Sequence, residues 1–190
     1  MNNWHSSTSK LKICLDGLAV RGAMGEAMDP DQGFAHLQAA TLKLRREGRV
    51  VYLIGNGASA SMASHIAADL GKNAQLDTRV FTDLSLITAL ANDLCYEEVF
   101  AEPLRRCLKQ GDMLVAISSS GRSPNIMRAA QEARNQGGLV VTLSAMQPDN
   151  PLRSAGDYNF YVPADTYGLA ETSHAAILHY WVDLMVASTG

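Results

Sequence analysis

Two pairs of side chains that can bind metal or transfer protons stand out in this sequence. His65 and Asp69 are four residues apart in a segment with helical spacing, so both project from one helix face. Near the C-terminus, Glu171 and His179 are eight residues apart, with His174 between them, and fall within roughly 80° of one another on a helix. If the two helices face each other, these two histidines and two carboxylates suit a zinc-like divalent ion or proton transfer. A packing or surface role for the histidines is the alternative.

A run of hydroxyl side chains is the first candidate site for an anion. Residues 118–123 read SSSGRS and lie between an apolar run, 113–117, and a helix predicted from Pro124. Backbone N–H groups and hydroxyls at such a junction can surround a phosphate, and ligands of open α/β sheets bind at the carboxyl ends of the strands. The alternative is a solvated polar loop. The candidate binding residues are Ser118, Ser119, Ser120 and Ser123.

A glycine-rich turn between a strand-like and a helix-like segment is the second candidate anion site. Residues 50–54 are apolar and β-rich, and Gly55-Asn56-Gly57 follows them with residues that tolerate unusual backbone angles. A helix that begins directly after a strand presents free N–H groups and its positive dipole end, which favours a phosphate. Asn56, Gly57 and Ser59 are the candidate binding residues. An ordinary strand-turn-helix connection is the alternative.

Strand-like and helix-like segments alternate along most of the chain. This order predicts an α/β fold, a doubly wound, mostly parallel five-stranded sheet flanked by helices. Such a sheet places the ends of neighbouring strands side by side, so it can bring the serine run and the glycine-rich turn together. The strands are predicted near residues 50–54, 78–82, 113–117, 139–143 and 159–162.

The segment before the first of these strands is predicted to be a helical hairpin. Residues 7–28 have imperfect amphipathic spacing weakened by Gly17 and Gly22, and Asp29-Pro30 is a start signal for a second helix that ends near Arg46. The sheet alone does not cover two such helices. We therefore expect a single domain over residues 1–190, in which residues 1–48 serve oligomer packing and residues 49–190 form the α/β core.

Composition excludes several classes of protein. The 190 residues carry a formal net charge of -3, and so lack the basic footprint of nucleic-acid-binding proteins. No run approaches the ~20 apolar residues of a membrane span, and the N-terminus has no apolar leader. The three cysteines have no metal-type spacing, which indicates reduced thiols. We expect a cytoplasmic protein without a membrane or nucleic-acid partner.

Four segments together resemble one known family. The segments GNGASASMASHIAADL, ITALANDLCYEEVF, GDMLVAISSSGRSPNI and ETSHAAILHYWVDL are similar to the sugar isomerase (SIS) domain family, and within it to the phosphoheptose isomerases. The likeness spans nearly the whole chain. It implies a homotetramer that isomerises sedoheptulose 7-phosphate to D-glycero-D-manno-heptose 7-phosphate, a precursor of lipopolysaccharide or capsule.

The resemblance also implies roles for individual residues. The serine run and the glycine-rich turn would hold the sugar phosphate, and Asp93 would contact the substrate. Asp69 would be the catalytic base, with His179 as its acid/base partner on the neighbouring carbon. The implied zinc ligands are His65, Asp69, Glu171 and His179, of which Glu171 also contacts substrate.

Three positions depart from the family pattern. Asp69 is one methylene shorter than the family's Glu, Glu171 replaces a Gln and adds a negative charge, and Gly168 stands where an acid is expected. Some SIS-domain proteins are not enzymes, but bind a phosphosugar or a replication initiator as regulators. Those lack the helix acid, whereas this chain keeps Asp69 together with His65 and His179, which favours an enzyme.

Overall fold

A computed structural model describes residues 3–188 and contains seven helices and seven strands within that range. The helices are α1 (Trp4–Asp16), α2 (Pro30–Arg46), α3 (Ala58–Ala74), α4 (Leu84–Asp93), α5 (Glu98–Cys107), α6 (Pro124–Asn135) and α7 (Tyr167–Ala187). The strands are β1 (Ala19–Gly22), β2 (Ala27–Met28), β3 (Val50–Gly55), β4 (Asp77–Val80), β5 (Met113–Ser118), β6 (Leu139–Ser144) and β7 (Tyr158–Tyr161).

All strands belong to one sheet in the order β2-β1-β7-β6-β5-β3-β4. The five strands from β3 to β7 are parallel, which confirms the predicted α/β fold class. The predicted strand number was wrong, because β1 pairs antiparallel with β7 and β2 antiparallel with β1. The serine run follows β5 and the glycine-rich turn follows β3. Since β3 and β5 are direct neighbours, both segments lie at the same edge of the sheet.

The predicted N-terminal helical hairpin was also wrong. The first helix ends at Asp16, where the N–H of Gly17 bonds to the Ile13 carbonyl, and the chain then enters the β1–β2 hairpin. A Cβ at Gly17 would lie 2.8 Å from the Pro163 ring, so a larger residue there would force this packing contact to shift. Helices α1 and α2 therefore do not form a pair, and each packs against α7. The role of residues 1–48 in oligomer packing stays a prediction.

Two hydrophobic cores lie on the two faces of the sheet. Alternate residues of β3 illustrate the division: Val51 and Leu53 pack in the core that contains α2, α3 and α7, whereas Tyr52 and Ile54 pack in the core that contains α5 and α6. Both faces are covered, and β3, β5 and β6 are consequently almost entirely buried. Within residues 3–188, no helix combines the length and apolar character needed to cross a bilayer.

One buried hydrogen bond joins α7 to α2. The indole N–H of Trp181 donates to the Thr41 hydroxyl at 3.1 Å, and that hydroxyl donates to the Leu37 carbonyl at 2.7 Å. Both side chains are buried, so water cannot replace a lost partner. This bond fixes α7, the helix that carries Glu171 and His179, against the domain.

Replacing Thr41 by valine is expected to lower the free energy of unfolding by about 1–3 kcal/mol, because the buried Trp181 N–H loses its acceptor while the side-chain volume hardly changes. Urea unfolding followed by tryptophan fluorescence measures this loss. Thr41→Ser is the matched control, since it keeps the hydroxyl and is expected to lose less. A Thr41→Val protein as stable as the wild type would contradict a stabilising role for the bond.

Candidate active site

The serine run and the glycine-rich turn line one cavity of about 170 Å³ at the carboxyl edge of the sheet. Its lining residues are Asn56, Ser59, Ile117, Ser118, Ser119, Ser120, Ser123, Tyr167 and Glu171. A larger hollow of about 380 Å³ lies at the opposite edge, where β5 and β6 begin, and none of the predicted site residues lines it. The sequence prediction that the two segments share a site agrees with this geometry.

Two helices begin at this cavity without a capping side chain. Gly57 precedes α3 and Ser123 precedes α6, and neither residue makes a side-chain hydrogen bond to the first turn; the same is true of Glu97 before α5, whereas the caps of α1, α2, α4 and α7 make one. Gly57 has φ 56° and ψ -123°, a backbone conformation that L side chains rarely adopt. Two positive helix ends with hydroxyls around them are chemically suited to an anion.

The segment that contains Asn150 and Leu152 packs against the serine run and holds it in place. Gly121 has a φ of 61°, and a side chain there would collide with the buried amide of Asn150. Asn150 donates to the carbonyls of Ala145 and Gln147, and the Leu152 N–H donates to the Gly121 carbonyl at 3.2 Å. The Ser118 and Ser123 hydroxyls are 3.2 Å apart. The hydroxyl donors are therefore preorganised before a ligand arrives.

Three of the four predicted metal ligands come together where α3 packs on α7. The candidate ligand atoms of His65, Asp69 and His179 all lie within 4.8 Å of one another. His65 Nε2 is 3.4 Å from Asp69 Oδ2, and the two imidazole rings have centroids 5.2 Å apart at 62°. Two imidazoles and one carboxylate are a donor set that zinc accepts in proteins. The predicted juxtaposition of the two helices is found.

Glu171 does not join this group and lies instead in the wall of the cavity. Its separation from His179 along α7 is about 12 Å, since each helical residue rises 1.5 Å. The sequence spacing correctly placed Glu171 and His179 on one side of α7, but the two residues lie at different positions along the helix axis. His174, between them, is buried. Glu171 is thus placed for substrate contact, and its role as a metal ligand stays a prediction.

Two other predicted residues are not part of the cavity lining. Asp93 is the exposed last residue of α4 and accepts a hydrogen bond from the Asn92 amide at 2.9 Å. Gly57 shapes the turn through its backbone, as described above. A substrate contact by Asp93 stays a prediction.

Sequence reasoning missed Tyr167 in the cavity lining and two residues that hydrogen-bond to the lining residue Asn56. Tyr167, the first residue of α7, lines it with 62% of its surface exposed. Asn125 and Tyr96 both hydrogen-bond the side chain of Asn56. Asn125 could have been noted, because it lies two residues after Ser123 in the first turn of the same helix. Tyr96 is 40 residues from Asn56, and nothing in the sequence indicates that they meet.

Comparison with known proteins agrees with this arrangement. A family model described as the SIS domain matches residues 29–145. The phosphoheptose isomerase of Helicobacter pylori (strain Shi470) is 35% identical over 155 residues, which cover 78% of each chain. That of Mycobacterium tuberculosis (strain ATCC 25177 / H37Ra) is 36% identical over 140 residues, or 70% of this chain and 71% of the relative.

Solved structures show the same fold. The phosphoheptose isomerase GmhA from Neisseria gonorrhoeae superposes with a TM-score of 0.76 at 26% identity, over 81% of this chain and 86% of that one. A phosphoheptose isomerase from Francisella tularensis gives a TM-score of 0.82 at 24% identity, over 96% and 94% of the two chains. The chain therefore belongs to the SIS domain family and, within it, to the phosphoheptose isomerases.

Proposed function

We propose that this protein is an aldose-ketose isomerase that converts sedoheptulose 7-phosphate to D-glycero-D-manno-heptose 7-phosphate. One observation carries the proposal: helices α3 and α7 each contribute to both an anion cavity and a histidine-carboxylate group. Ser59 and Asp69 lie on α3, and Glu171 and His179 lie on α7. A sugar phosphate fits such a pair of sites, because its anionic end and its reacting carbons are several bonds apart.

Neutral donors bind the phosphate in this proposal. The cavity lining contains no Lys or Arg among the described residues, and its one charged side chain is Glu171. The available donors are the hydroxyls of the serine run and of Ser59, together with the backbone N–H groups at the start of α3. Glu171 is then free to accept hydrogen bonds from sugar hydroxyls.

Proton transfer takes place at the other end of the substrate. Asp69 removes a proton from the carbon next to the ketose carbonyl, which leaves an enediolate. His179 delivers a proton to the former carbonyl carbon, and the hydroxyl proton passes from the first oxygen to the second. The product is the aldose isomer, and the protein returns to its starting state when Asp69 releases its proton to solvent and His179 takes one up. Asp69 is 27% exposed, so a substrate can reach it.

The donor set of His65, Asp69 and His179 fits a divalent ion, and we propose zinc. When bound, such an ion supplies positive charge that polarises the substrate carbonyl. His65 makes no other hydrogen bond in the described chain than its approach to Asp69, and it is free to serve as a ligand. Metal analysis of the purified protein tests the assignment.

We also propose that the protein works as a homotetramer. None of the residues of α4 is buried, although the helix is largely apolar, and large apolar side chains are exposed elsewhere too. Among them are Trp4, Ile13 and Met24. Such surfaces support burial against further copies of the chain. The cytoplasmic location stays a prediction.

Incubation with sedoheptulose 7-phosphate in deuterated water tests the proposed reaction directly. We expect NMR to show deuterium entering the carbon next to the carbonyl, together with formation of the aldose phosphate. Fructose 6-phosphate serves as the shorter control substrate and is expected to react more slowly. Zinc-loaded protein that shows neither exchange nor turnover would exclude the heptose assignment.

A further inference from the structure

A reciprocal pair of amides joins the two halves of the anion cavity. Asn56 Nδ2 donates to Asn125 Oδ1 at 3.0 Å, and Asn125 Nδ2 donates back to Asn56 Oδ1 at 2.9 Å. Asn56 belongs to the turn after β3, and Asn125 belongs to the first turn of α6 after the serine run. Asn125 is 1% exposed, so it does not take part in the cavity surface itself.

The backbone determines which way both amides point. The Ile126 N–H donates to Asn125 Oδ1 at 3.0 Å. A backbone N–H can only donate, and this position must therefore be the oxygen of Asn125 rather than its nitrogen. Asn125 Nδ2 is then left to donate to Asn56, which makes the facing atom of Asn56 its oxygen. The Ile126 N–H therefore fixes the orientation of the Asn125 amide, which in turn fixes the orientation of the Asn56 amide.

Asn56 has little freedom after these bonds form. Its oxygen accepts from Asn125 Nδ2 and also from the Tyr96 hydroxyl at 3.1 Å, which occupies both lone pairs. The Asn56 nitrogen uses one of its two N–H groups to donate to Asn125. One N–H donor remains for a ligand. An Asn56 side chain turned the other way would present its carbonyl oxygen to the cavity and repel a phosphate.

We propose that Asn125 is a positioning residue, which holds the Asn56 amide so that only an N–H donor faces the bound phosphate. Tyr96 supports the same orientation from the connection between α4 and α5. The inference rests on the proposed function in one respect, namely that the cavity takes the phosphate group of a sugar. It assigns to Asn125 an effect on anion affinity that is exerted entirely through Asn56.

A double-mutant cycle between Asn56 and Asn125 tests the inference. Titration calorimetry gives the Kd of inorganic phosphate and of sedoheptulose 7-phosphate for the full-length wild type, Asn125→Ala, Asn56→Ala and the double variant. We expect Asn125→Ala to weaken both ligands about tenfold, as for loss of one hydrogen bond to a charged group. In the Asn56→Ala background the same change is expected to have almost no further effect. KM should rise more than kcat falls.

Tyr96→Phe keeps the test decisive if Asn125→Ala does not fold. Tyr96 is 53% exposed, so its hydroxyl can be removed without opening the core. We expect about threefold weaker phosphate binding, again only when Asn56 is present. Cys95→Ala, an exposed change in the same connection, is the matched control.

Two results would overturn the inference. One is unchanged phosphate affinity in Asn125→Ala and Tyr96→Phe, and the other is a loss that persists in full when Asn56 is already alanine. Wild-type protein that binds phosphate but does not isomerise would contradict the proposed reaction alone, because the cycle is read from binding. Wild-type protein that binds no phosphate would overturn both.

Discussion

Asp69→Asn is expected to lower kcat by a factor of about 10²–10⁴, the usual contribution of a positioned general base. Asparagine preserves the size of the side chain but cannot accept the substrate proton, and its neutral amide is a poorer metal ligand. In the proposed binding mode the phosphate end of the substrate occupies the cavity that Asp69 does not line, so thermal stabilisation by sedoheptulose 7-phosphate should persist. Turnover assays and ligand-induced shifts of Tm measure the two effects separately.

Two further variants of the same kind sharpen this prediction. Asp69→Glu restores the longer acid that the family has at this position, and it is expected to keep activity or raise it, because the carboxylate reaches further toward the substrate. Asp183→Asn makes the same chemical change at an exposed site on α7 and should leave kcat unaltered. Full turnover in Asp69→Asn would move the base elsewhere. Wild-type binding without turnover would instead favour a regulatory phosphosugar-binding protein.

The free energy of unfolding is expected to fall as the pH drops below 6.5, through His174. Burial lowers the pKa of His174 to about 4, against a smaller opposing effect of the Ser144 backbone, and within residues 3–188 neither ring nitrogen has a hydrogen-bond partner of normal geometry. Between pH 4 and 6.5, the ordinary pKa of a histidine, the unfolded chain binds the proton and the folded chain does not. Stability is therefore fully present above pH 6.5 and is lost toward pH 4, by about 3 kcal/mol in total.

Urea unfolding at pH 7 and pH 5 measures this effect, of which about 2 kcal/mol falls between those two values. Other groups also titrate in this range, and the informative quantity is the difference between variants. His174→Leu fills a similar volume without a titrating ring, and it should lose about 2 kcal/mol less than the wild type between pH 7 and 5. His5→Leu, on the exposed side of α1, should behave as the wild type. Equal pH dependence in all three would contradict the role of His174.

Local pattern was enough to find the parallel core of the fold. Strands β3, β5 and β6 are buried on both faces of the sheet, which requires a continuous run of apolar, β-favouring residues. Such short runs, bounded by turn residues, can be recognised in the sequence. Strand β1 could not be found in this way. It has four residues, and its identity as a strand comes from pairing with β7, about 140 residues further along the chain. Such pairing leaves no periodicity in the segment.

The candidate site shows the same limit. Helical spacing correctly gave the shared face of His65 and Asp69, and the resemblance to the family correctly paired them with His179. The spacing of residues along a helix gives their angle around its axis. It does not show which residues of a neighbouring helix lie beside each of them, so Glu171 was grouped with the other three. The orientation of Asn56 depends on a backbone N–H at Ile126, which no sequence pattern records.

The antiparallel pairing of β1 with β7 also sets the order in which the protein can be completed during synthesis. Residues 19–22 leave the ribosome early, but their partner strand is made only after more than 130 further residues. Until then one edge of β1 has no pairing partner from the parallel sheet, and α7, with its half of the proton-transfer group, is absent. Strand β7 and helix α7 follow each other in the chain, so the strand that pairs with β1 and the helix that carries His179 are both made late in synthesis.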